Sequence, residues 1–262
     1  MQGDDADLER RFGGLRRLYG DAGYARVRGA RVAVVGLGGV GSWAAEALAR
    51  SGVATLVLID LDHVSESNVN RQIQALGSTL GMSKAEALKA RIADIHPGCE
   101  VVCIEEFVEP ANWPALLPVP VQALIDGCDQ VRAKAALAAW ARERGLPFVS
   151  VGAAGGKRAP HLLQVEDLGR VTHDPLLASL RQRLRKFHAA PRGTGEKMGV
   201  SCVFSREPVL RPSEAGCDLG EGAGVDGSLN CHGYGSSVTV TASFGMAAAA
   251  ELLKEFLHKP LR

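Results

Sequence analysis

The sequence lacks a C-x-x-C pair. Its six cysteines are scattered at positions 99, 103, 128, 202, 217 and 231, a spacing that argues against a four-cysteine zinc clamp. It also lacks a strong excess of charge of either sign. The formal net charge is +1, so any nucleic-acid-binding surface must be local. The composition is otherwise typical of an ordinary soluble protein.

A long uncharged apolar run is missing as well. The most apolar stretch, 238–257, contains Glu251, Lys254 and Glu255, which predicts a packed amphipathic helix rather than a membrane span. The first seven residues lack the basic and apolar regions of a secretory signal. We therefore expect a cytoplasmic protein with free thiols and no membrane partner.

The first informative stretch is an apolar run that leads directly into glycines, from Arg31 to Ser42, with a helical pattern continuing to Arg50. Glycines let the backbone approach an anion closely, and a helix N-terminus attracts negative charge, so this stretch predicts a phosphate-binding turn. Taken alone, the spacing of Gly36, Gly38 and Gly41 is only a weak dinucleotide-binding fingerprint.

Alternating strand and helix patterns follow this turn. Strands are predicted, with helices between them, at 32–35, 55–59, 101–104, 121–125 and 147–151. Such alternation predicts an α/β fold with a Rossmann-like, doubly wound and mostly parallel sheet. We expect a single domain over 1–262, with an N-terminal arm (1–30) and a nucleotide-binding core (31–165).

The remaining part, 166–262, is predicted as a C-terminal elaboration on the same sheet. It contains a helical pattern at 175–188, a glycine-rich loop at 212–235 and a last helix that ends near residue 258. Further strands are predicted at 162–165, 199–205 and 237–241.

Polar residues cluster where the predicted strands end. Asp60 follows the second strand, at about the distance from Gly41 at which an acidic residue reaches the ribose hydroxyls of a bound nucleotide. Ligands of parallel sheets bind beyond the carboxyl ends of the strands, so these residues are expected at one edge of the sheet. They are Gly36 to Gly41, Asp60, Asn68 to Gln72, Asp126 and Asp129.

A lysine is predicted at the start of the helix that follows this polar stretch. Ser83 and Glu86 have capping-box spacing, which predicts Lys84 as the first helical residue. There its charge opposes the helix dipole, at a cost of a few tenths of a kcal/mol up to about 1 kcal/mol. A negatively charged ligand nearby would reverse that sign, and Lys84 is therefore a candidate phosphate contact.

Two cations and two carboxylates distinguish this pattern from that of a dehydrogenase. Arg71 and Lys84 suit the β- and γ-phosphates of ATP, and Asp126 and Asp129 suit magnesium. Together they favour nucleotidyl transfer, in which an oxygen attacks the α-phosphate and pyrophosphate leaves. A dehydrogenase or sensor that binds NAD remains an alternative hypothesis.

These motifs together resemble the ubiquitin-activating-enzyme-like superfamily, of which ThiF, MoeB and HesA are bacterial members. Within it, the chain is similar to the tRNA threonylcarbamoyladenosine dehydratases. The segments that carry this second likeness are Arg11–Gly14, Gly41–Ala49, Lys197–Ser205 and Val240–Gly245.

The resemblance implies an ATP-dependent reaction that closes the threonylcarbamoyl side chain of a tRNA adenosine into a ring. The carboxylate is adenylated, pyrophosphate leaves, and an atom of the ureido group then displaces AMP. The resemblance also implies ATP and Mg²⁺ as cofactors and a tRNA carrying the modified adenosine as partner. A homodimer is expected, in which an arginine of the arm between Arg11 and Arg17 reaches the neighbouring subunit's ATP. A cysteine desulfurase with its sulfur acceptor is a further implied partner.

Specific roles follow from the same resemblance. Asp60 would bind the ribose, Asn68, Arg71 and Lys84 the phosphates, and Asp129 the metal ion, with Asp126 as a supporting group. Arg71, Lys84 and Asp129 are the implied catalytic residues. The nucleotide-binding set is Gly36, Gly38, Gly39, Gly41, Ser42, Asp60, Asp62, Asn68, Asn70, Arg71, Gln72, Lys84 and Asp126.

Two further sites are candidates. A basic stretch could neutralise tRNA phosphates through Arg181, Arg183, Arg185 and Lys186, or could be a solvated helix face. Cys231, in a glycine-flanked loop, could carry an activated acyl group as a thioester. An adenylyltransferase that activates the C-terminus of a ubiquitin-like sulfur-carrier protein is the alternative function, although the missing C-x-x-C pairs weaken it.

Overall fold

The computed structural model describes residues 7–209 and 234–258. Its strands are β1 (Arg31–Val35), β2 (Thr55–Ile59), β3 (Glu100–Ile104), β4 (Ala123–Asp126), β5 (Phe148–Val151), β6 (Leu163–Asp167) and β7 (Ser201–Ser205). The helices of the described residues are α1 (Leu8–Phe12), α2 (Gly14–Arg28), α3 (Gly41–Arg50), α4 (Lys84–Ile95), α5 (Val131–Arg144), α6 (Pro175–Phe187) and α7 (Val238–His258).

The seven strands form one sheet in the order β3-β2-β1-β4-β5-β7-β6. All neighbouring pairs are parallel except β6 with β7, which is antiparallel. The predicted doubly wound, mostly parallel sheet is therefore confirmed, and its C-terminal strands β6 and β7 extend the same sheet. Chain order reverses at β1, which lies between β2 and β4, and ligands of such sheets bind at this switch point.

Because of the strand register, β1, β2 and β4 end at the same level of the sheet. Val35, the last residue of β1, lies opposite Ile59 of β2 and Asp126 of β4. The residues that follow the three strands therefore leave the sheet side by side, at its carboxyl edge.

Each face of the sheet is covered by its own layer of helices. Val32 and Val34 point to one face, in a core shared with α3, α4 and α7, and Ala33 and Val35 point to the other, shared with α5 and α6. The contact between α3 and α7 is very close, because a Cβ on Gly245 would lie 2.4 Å from the carbonyl oxygen of Val40.

The predicted strand at 237–241 is wrong. Alternating valine and threonine favour a strand there, but α7 begins at Val238. As a helix, the segment buries Val240, Phe244 and Ala248 on one face, and this burial against the sheet outweighs the local β propensity. The other predicted elements are confirmed with shifted boundaries. Most of the predicted glycine-rich loop lies outside the described residues.

The arm before β1 is helical and packed. Phe12 of α1 and Tyr24 and Val27 of α2 are buried. Within the described ranges, no helix is long and apolar enough to span a membrane.

Candidate active site

A large cleft lies at the carboxyl edge of the sheet, where the polar residues were predicted to meet. It encloses about 880 Å³ and extends from the residues after β3 to those after β5. Of the predicted nucleotide-binding residues, the following line it: Gly36, Gly38, Gly39, Asp60, Asp62, Asn68, Arg71, Gln72 and Lys84. Asp129 lines the cleft as well.

The glycine loop between β1 and α3 forms the floor of this cleft. Gly36 has a φ of +80°, and a Cβ there would lie 2.7 Å from the backbone nitrogen of Cys128. A Cβ on Gly41 would collide with the Gly36 carbonyl oxygen at 1.8 Å, whereas the Cβ position of Gly38 faces open space. Gly41 and Ser42 are buried beneath the loop, so they shape the floor rather than line the cleft.

Asp60 ties the end of β2 to this loop. Its Oδ2 accepts the N–H of Leu37 at 2.6 Å, and its Oδ1 accepts the N–H of Asp62 at 2.8 Å. Burial raises the pKa of Asp60, although the Lys84 ammonium and the two N–H donors act in the opposite direction. The carboxylate is therefore held rigidly at the rim of the glycine loop.

Lys84 reaches across the same corner from the first turn of α4. Its Nζ lies 2.6 Å from Asp62 Oδ2 and 4.0 Å from Asp60 Oδ1, and its side chain is only 7 % exposed. The prediction that Lys84 begins a helix is confirmed. A buried ammonium beside two carboxylates in a cleft is a positive group with little freedom to move.

The predicted capping box at this helix is wrong. Among the described atoms the Ser83 hydroxyl is buried without a hydrogen-bond partner. The backbone of Ser83 instead forms an antiparallel bridge with His63, and the Lys84 N–H donates to the Asp62 carbonyl oxygen at 3.0 Å. These tertiary pairings fix the N-terminus of α4 in place of the local cap.

Arg71 is positioned by its own turn. Its Nη1 donates to the Ser67 carbonyl oxygen at 2.7 Å and to Asn70 Oδ1 at 3.0 Å, and burial lowers its pKa. Its carbonyl oxygen accepts the indole N–H of Trp43 at 2.9 Å, which attaches the turn to α3. The hydroxyl of Thr241, in α7, donates to the same carbonyl oxygen at 3.4 Å, and its Cγ2 lies 3.1 Å from the Cβ position of Gly39.

The other amides of this stretch are mostly structural. Asn68 Oδ1 accepts the N–H of Ser65, at 3.2 Å, and stabilises the turn. Gln72 Oε1 accepts Nε2–H of Gln74, which also donates to the Leu37 carbonyl oxygen. Asn70 lies beside the cleft, and its amide donates to the Ser236 carbonyl oxygen at 3.1 Å.

Asp126 lies below the cleft, in a fully buried ion pair. Its Oδ2 is 2.9 Å from Nζ of Lys134 and accepts the Ser150 hydroxyl at 2.7 Å. Burial acts against the charge on Lys134, yet the Asp126 carboxylate raises the pKa of Lys134 overall. Asp126 thus supports the end of β4 and does not line the cleft, although it was included in the predicted nucleotide-binding set. Sequence reasoning missed Lys134, which has no signal beyond its place in an alanine-rich helix.

The far half of the cleft was not predicted. It is lined by the segment after β5, Gly152 to Gly155, and by His173, Pro175 and Leu176 at the start of α6. The glycine run after β5 was visible in the sequence but suggested no role. His173 and Leu176 carried no signal at all, because only the tertiary fold brings α6 to the cleft.

The basic stretch divides into two pairs. Arg181 donates to the carbonyl oxygens of residues 168 and 171, and Arg185 to those of residues 191 and 193. Arg183 and Lys186 instead flank the exposed ring of Phe187, at 5.0 and 5.1 Å from its centroid. The structure therefore brings only the second pair to a common solvent-facing surface.

The predicted reactive thiol, Cys231, cannot be compared with the structure. Cys231 lies outside the described residues. Cys202 is a buried free thiol and Cys128 a free thiol at the cleft wall, and burial raises the pKa of each well above its ordinary value.

In the N-terminal arm, Arg11 donates to the carbonyl oxygens of residues 94 and 95, and Arg16 pairs with carboxylates of its own chain.

Comparisons with known proteins show the family of this chain. The family model described as "ThiF family" matches residues 12–261. A tRNA threonylcarbamoyladenosine dehydratase of Escherichia coli is 42% identical over 255 residues, covering 96% of this chain and 95% of that protein. One of Haemophilus influenzae is 38% identical over 254 residues, covering 97% and 95%.

A solved structure has the same architecture. The crystal structure of E. coli tRNA N6-threonylcarbamoyladenosine dehydratase, TcdA, in complex with ATP superposes with a TM-score of 0.84, at 41% identity and 96% coverage of both chains. The family match, these relatives and the shared fold lead to one conclusion. The chain belongs to the ThiF family.

Proposed function

We propose that this chain is an enzyme that uses ATP to dehydrate the threonylcarbamoyl side chain of a modified adenosine in tRNA, giving the cyclic form. One observation carries the proposal. A glycine loop, a fixed carboxylate and two cations share one cleft, in a chain that matches dehydratases of this name along 96% of its length.

The first step is adenylation of the side-chain carboxylate. A carboxylate oxygen attacks the α-phosphorus of ATP, a new P–O bond forms, and pyrophosphate leaves. The Asp60 carboxylate would accept hydrogen bonds from the ribose. The glycine loop and Asn68 would approach the phosphates. Arg71 and Lys84 would stabilise the charge that develops on the leaving pyrophosphate.

Lys84 suits this role because of its surroundings. An ammonium has three N–H donors, and the contact to Asp62 uses one of them. The two aspartates and the burial of its side chain hold the ammonium at a fixed place in the cleft, where a phosphate could meet it.

Asp129 fits a magnesium ion. Mg²⁺ is usually bound by one or two carboxylates together with substrate phosphates, and Asp129 offers one half-buried carboxylate to the cleft beside the glycine loop. A magnesium ion held there would neutralise phosphate charge during adenylation.

The second step closes the ring. An atom of the ureido group attacks the acyl carbon of the adenylate, the bond to AMP breaks, and the ureido proton is lost. The sum is ATP consumed to AMP and pyrophosphate, with one water removed from the nucleoside. Because the attack is intramolecular, it needs no thioester relay, and a role for Cys231 is not part of the proposal.

The tRNA would lie along α6. This helix begins at the cleft with Pro175 and Leu176 and is 13 residues long, about 20 Å. Arg183 and Lys186 near its far end would contact phosphates of the stem that carries the modified loop. Arg181 and Arg185 would act by holding the surrounding loops. Because the substrate is a tRNA, the proposed location is the cytoplasm.

A homodimer fits the exposed apolar residues of the segment between β2 and α4. Their side chains remain in solvent in the single chain: Leu61, Val69, Leu76, Leu80 and Met82. Sedimentation at micromolar concentration would test this expectation. A cysteine desulfurase and its sulfur acceptor remain proposed partners that a pull-down would test.

One assay tests the function directly. The protein is incubated with ATP, magnesium and tRNA carrying threonylcarbamoyladenosine, and the nucleoside mass is then measured. Loss of one water that depends on ATP is the expected result, and an unchanged mass would refute the proposal. Pyrophosphate exchange that depends on a small carrier protein instead of tRNA would indicate the sulfur-carrier adenylyltransferase. Protection against thermal unfolding by NAD but not ATP would indicate the NAD-binding alternative.

A further inference from the structure

The cleft continues past the residues proposed to bind ATP. Asp60 follows β2 and Gly152 follows β5, and these strands are separated by three strand spacings, about 14 Å. The glycine loop and Lys84 occupy the β2–β1 end. The far half, over β5, contains none of the residues proposed for ATP.

In the far half of the cleft, hydrogen bonds join the loop after β5 to the start of α6. Asp174, which caps α6, is buried, and its carboxylate accepts the N–H of Ala153 at 2.9 Å and that of Leu177 at 2.9 Å. Gly152 leaves room for this carboxylate, since a Cβ there would lie 2.2 Å from Asp174 Oδ2. The loop after β5 and the start of α6 are therefore fixed together, as a binding surface needs to be.

His173 is the polar side chain that this arrangement presents to the cleft. Of the histidines that the structure describes, it alone lines the cleft. Its φ of +62° is a left-handed conformation that strains a residue with a side chain. Nδ1 lies 2.9 Å from the Thr172 hydroxyl, which fixes the ring and leaves Nε2 as its second polar atom.

We propose that the far half of the cleft is the subsite for the modified nucleoside, and that His173 makes a hydrogen bond to its ureido-threonine side chain. The inference rests on the proposed function. The ureido group and the threonine hydroxyl both donate and accept, so an imidazole nitrogen can pair with them, and Pro175 and Leu176 supply an apolar wall. The carboxylate then points from the β5 side towards the α-phosphate above the glycine loop.

Three variants at one position separate this contact from a role in the turn. His173→Gln keeps a hydrogen-bonding side chain, His173→Leu keeps the size without the polar atoms, and His173→Gly removes the strain. For substrate binding, we expect His173→Gln to be near wild type and the other two to raise KM for the modified tRNA about three- to tenfold. KM for ATP should stay within about twofold. Thr172→Val, which frees the ring, should lie in between.

If His173 only shapes the turn before α6, its variants should behave differently. His173→Gly would then bind tRNA as well as the wild type does, and His173→Leu would equal His173→Gln. Either result would overturn the inference, and so would equal changes in KM for ATP and tRNA.

Binding measured without turnover distinguishes this inference from the proposed function. Anticodon stem-loops with and without the threonylcarbamoyl group are titrated onto wild type and His173→Leu. The wild type should prefer the modified stem-loop, and His173→Leu should lose most of that preference. If the wild type discriminates but forms no dehydrated product, the proposed reaction fails and the subsite stands. If product forms and the variant discriminates as well as wild type, the subsite fails and the reaction stands.

Discussion

Lys84 combines two features that rarely occur together in a helix. It begins α4, where its charge opposes the helix dipole, and its side chain is buried beside Asp60 and Asp62. The dipole and the burial both act against the ammonium, whereas the carboxylates and a bound phosphate favour it. The residue is therefore better suited to a ligand than to helix stability.

Replacing Lys84 tests this directly. We expect Lys84→Ala to lower the rate of AMP formation by at least about a hundredfold, since a donor to the developing phosphate charge is lost. Circular dichroism should remain that of the wild type. Lys89→Ala, on the same helix but exposed, is the matched control and should keep full activity. An active Lys84→Ala enzyme would remove the proposed adenylation mechanism.

Sequence reasoning succeeded for residues whose signal is local. The first two glycines of the loop, Asp60 and Lys84 lie at fixed offsets from strands or helix starts, and all of them line the cleft. It could not find Lys134, because a lysine becomes a buried ion-pair partner only through tertiary packing. It could not find His173 for the same reason.

At the scale of elements, the N-terminal helices are anchored by one histidine. His96, at the end of α4, is buried against the Phe12 ring, with ring centroids 4.8 Å apart. Its Nε2 lies 2.9 Å from Nη1 of Arg28. Burial, with the charges of Arg28 and Arg11, lowers the pKa of His96 from 6.5 to about 4.

This lowered pKa makes stability depend on pH in one direction. The unfolded chain protonates His96 near pH 6.5 and the folded chain only near pH 4, so protons favour unfolding between these values. The free energy of unfolding should be unaffected by this group above about pH 6.5 and should fall as the pH is lowered towards 4. Urea titrations at several pH values would measure it. His96→Gln should show a shallower decline, and parallel curves for the two proteins would contradict the assignment.

The starts of α7 and α4 show where local sequence patterns mislead. The Val-Thr alternation at the start of α7 predicted a strand, and only the packing of that segment against α3 makes it a helix. The predicted Ser83 cap is absent, and a backbone bridge to His63 fixes the start of α4 instead. In both cases a distant contact outweighed a local preference.

At the scale of the whole molecule, the distribution of free cations on α6 bears on tRNA binding. Reversing the charge of Arg183 and Lys186 together should weaken tRNA affinity and flatten its dependence on salt, by a log–log slope change of about one to two. Electrophoretic mobility shifts at several salt concentrations would measure this. Replacing Arg185 with Gln should instead lower thermal stability, since two backbone carbonyl groups lose their donor. An unchanged salt slope in the double variant would exclude this face of α6.

The mostly parallel sheet was predictable, because alternating strands and helices imply parallel strands with right-handed crossovers. The division into a core ending at residue 165 and a later elaboration stays a prediction. Residues of α7 share one apolar cluster with β1 and α3, so the core draws on both parts of the chain.

The close contact between Gly245 and Val40 affects how the enzyme is made. On the ribosome, β1, the glycine loop and α3 emerge long before α7 is synthesised, so the apolar side of α3 has no partner until residues 238–258 follow. A chain truncated before α7 therefore has every nucleotide-binding motif but lacks the helix that packs against α3, and we expect it to bind ATP poorly.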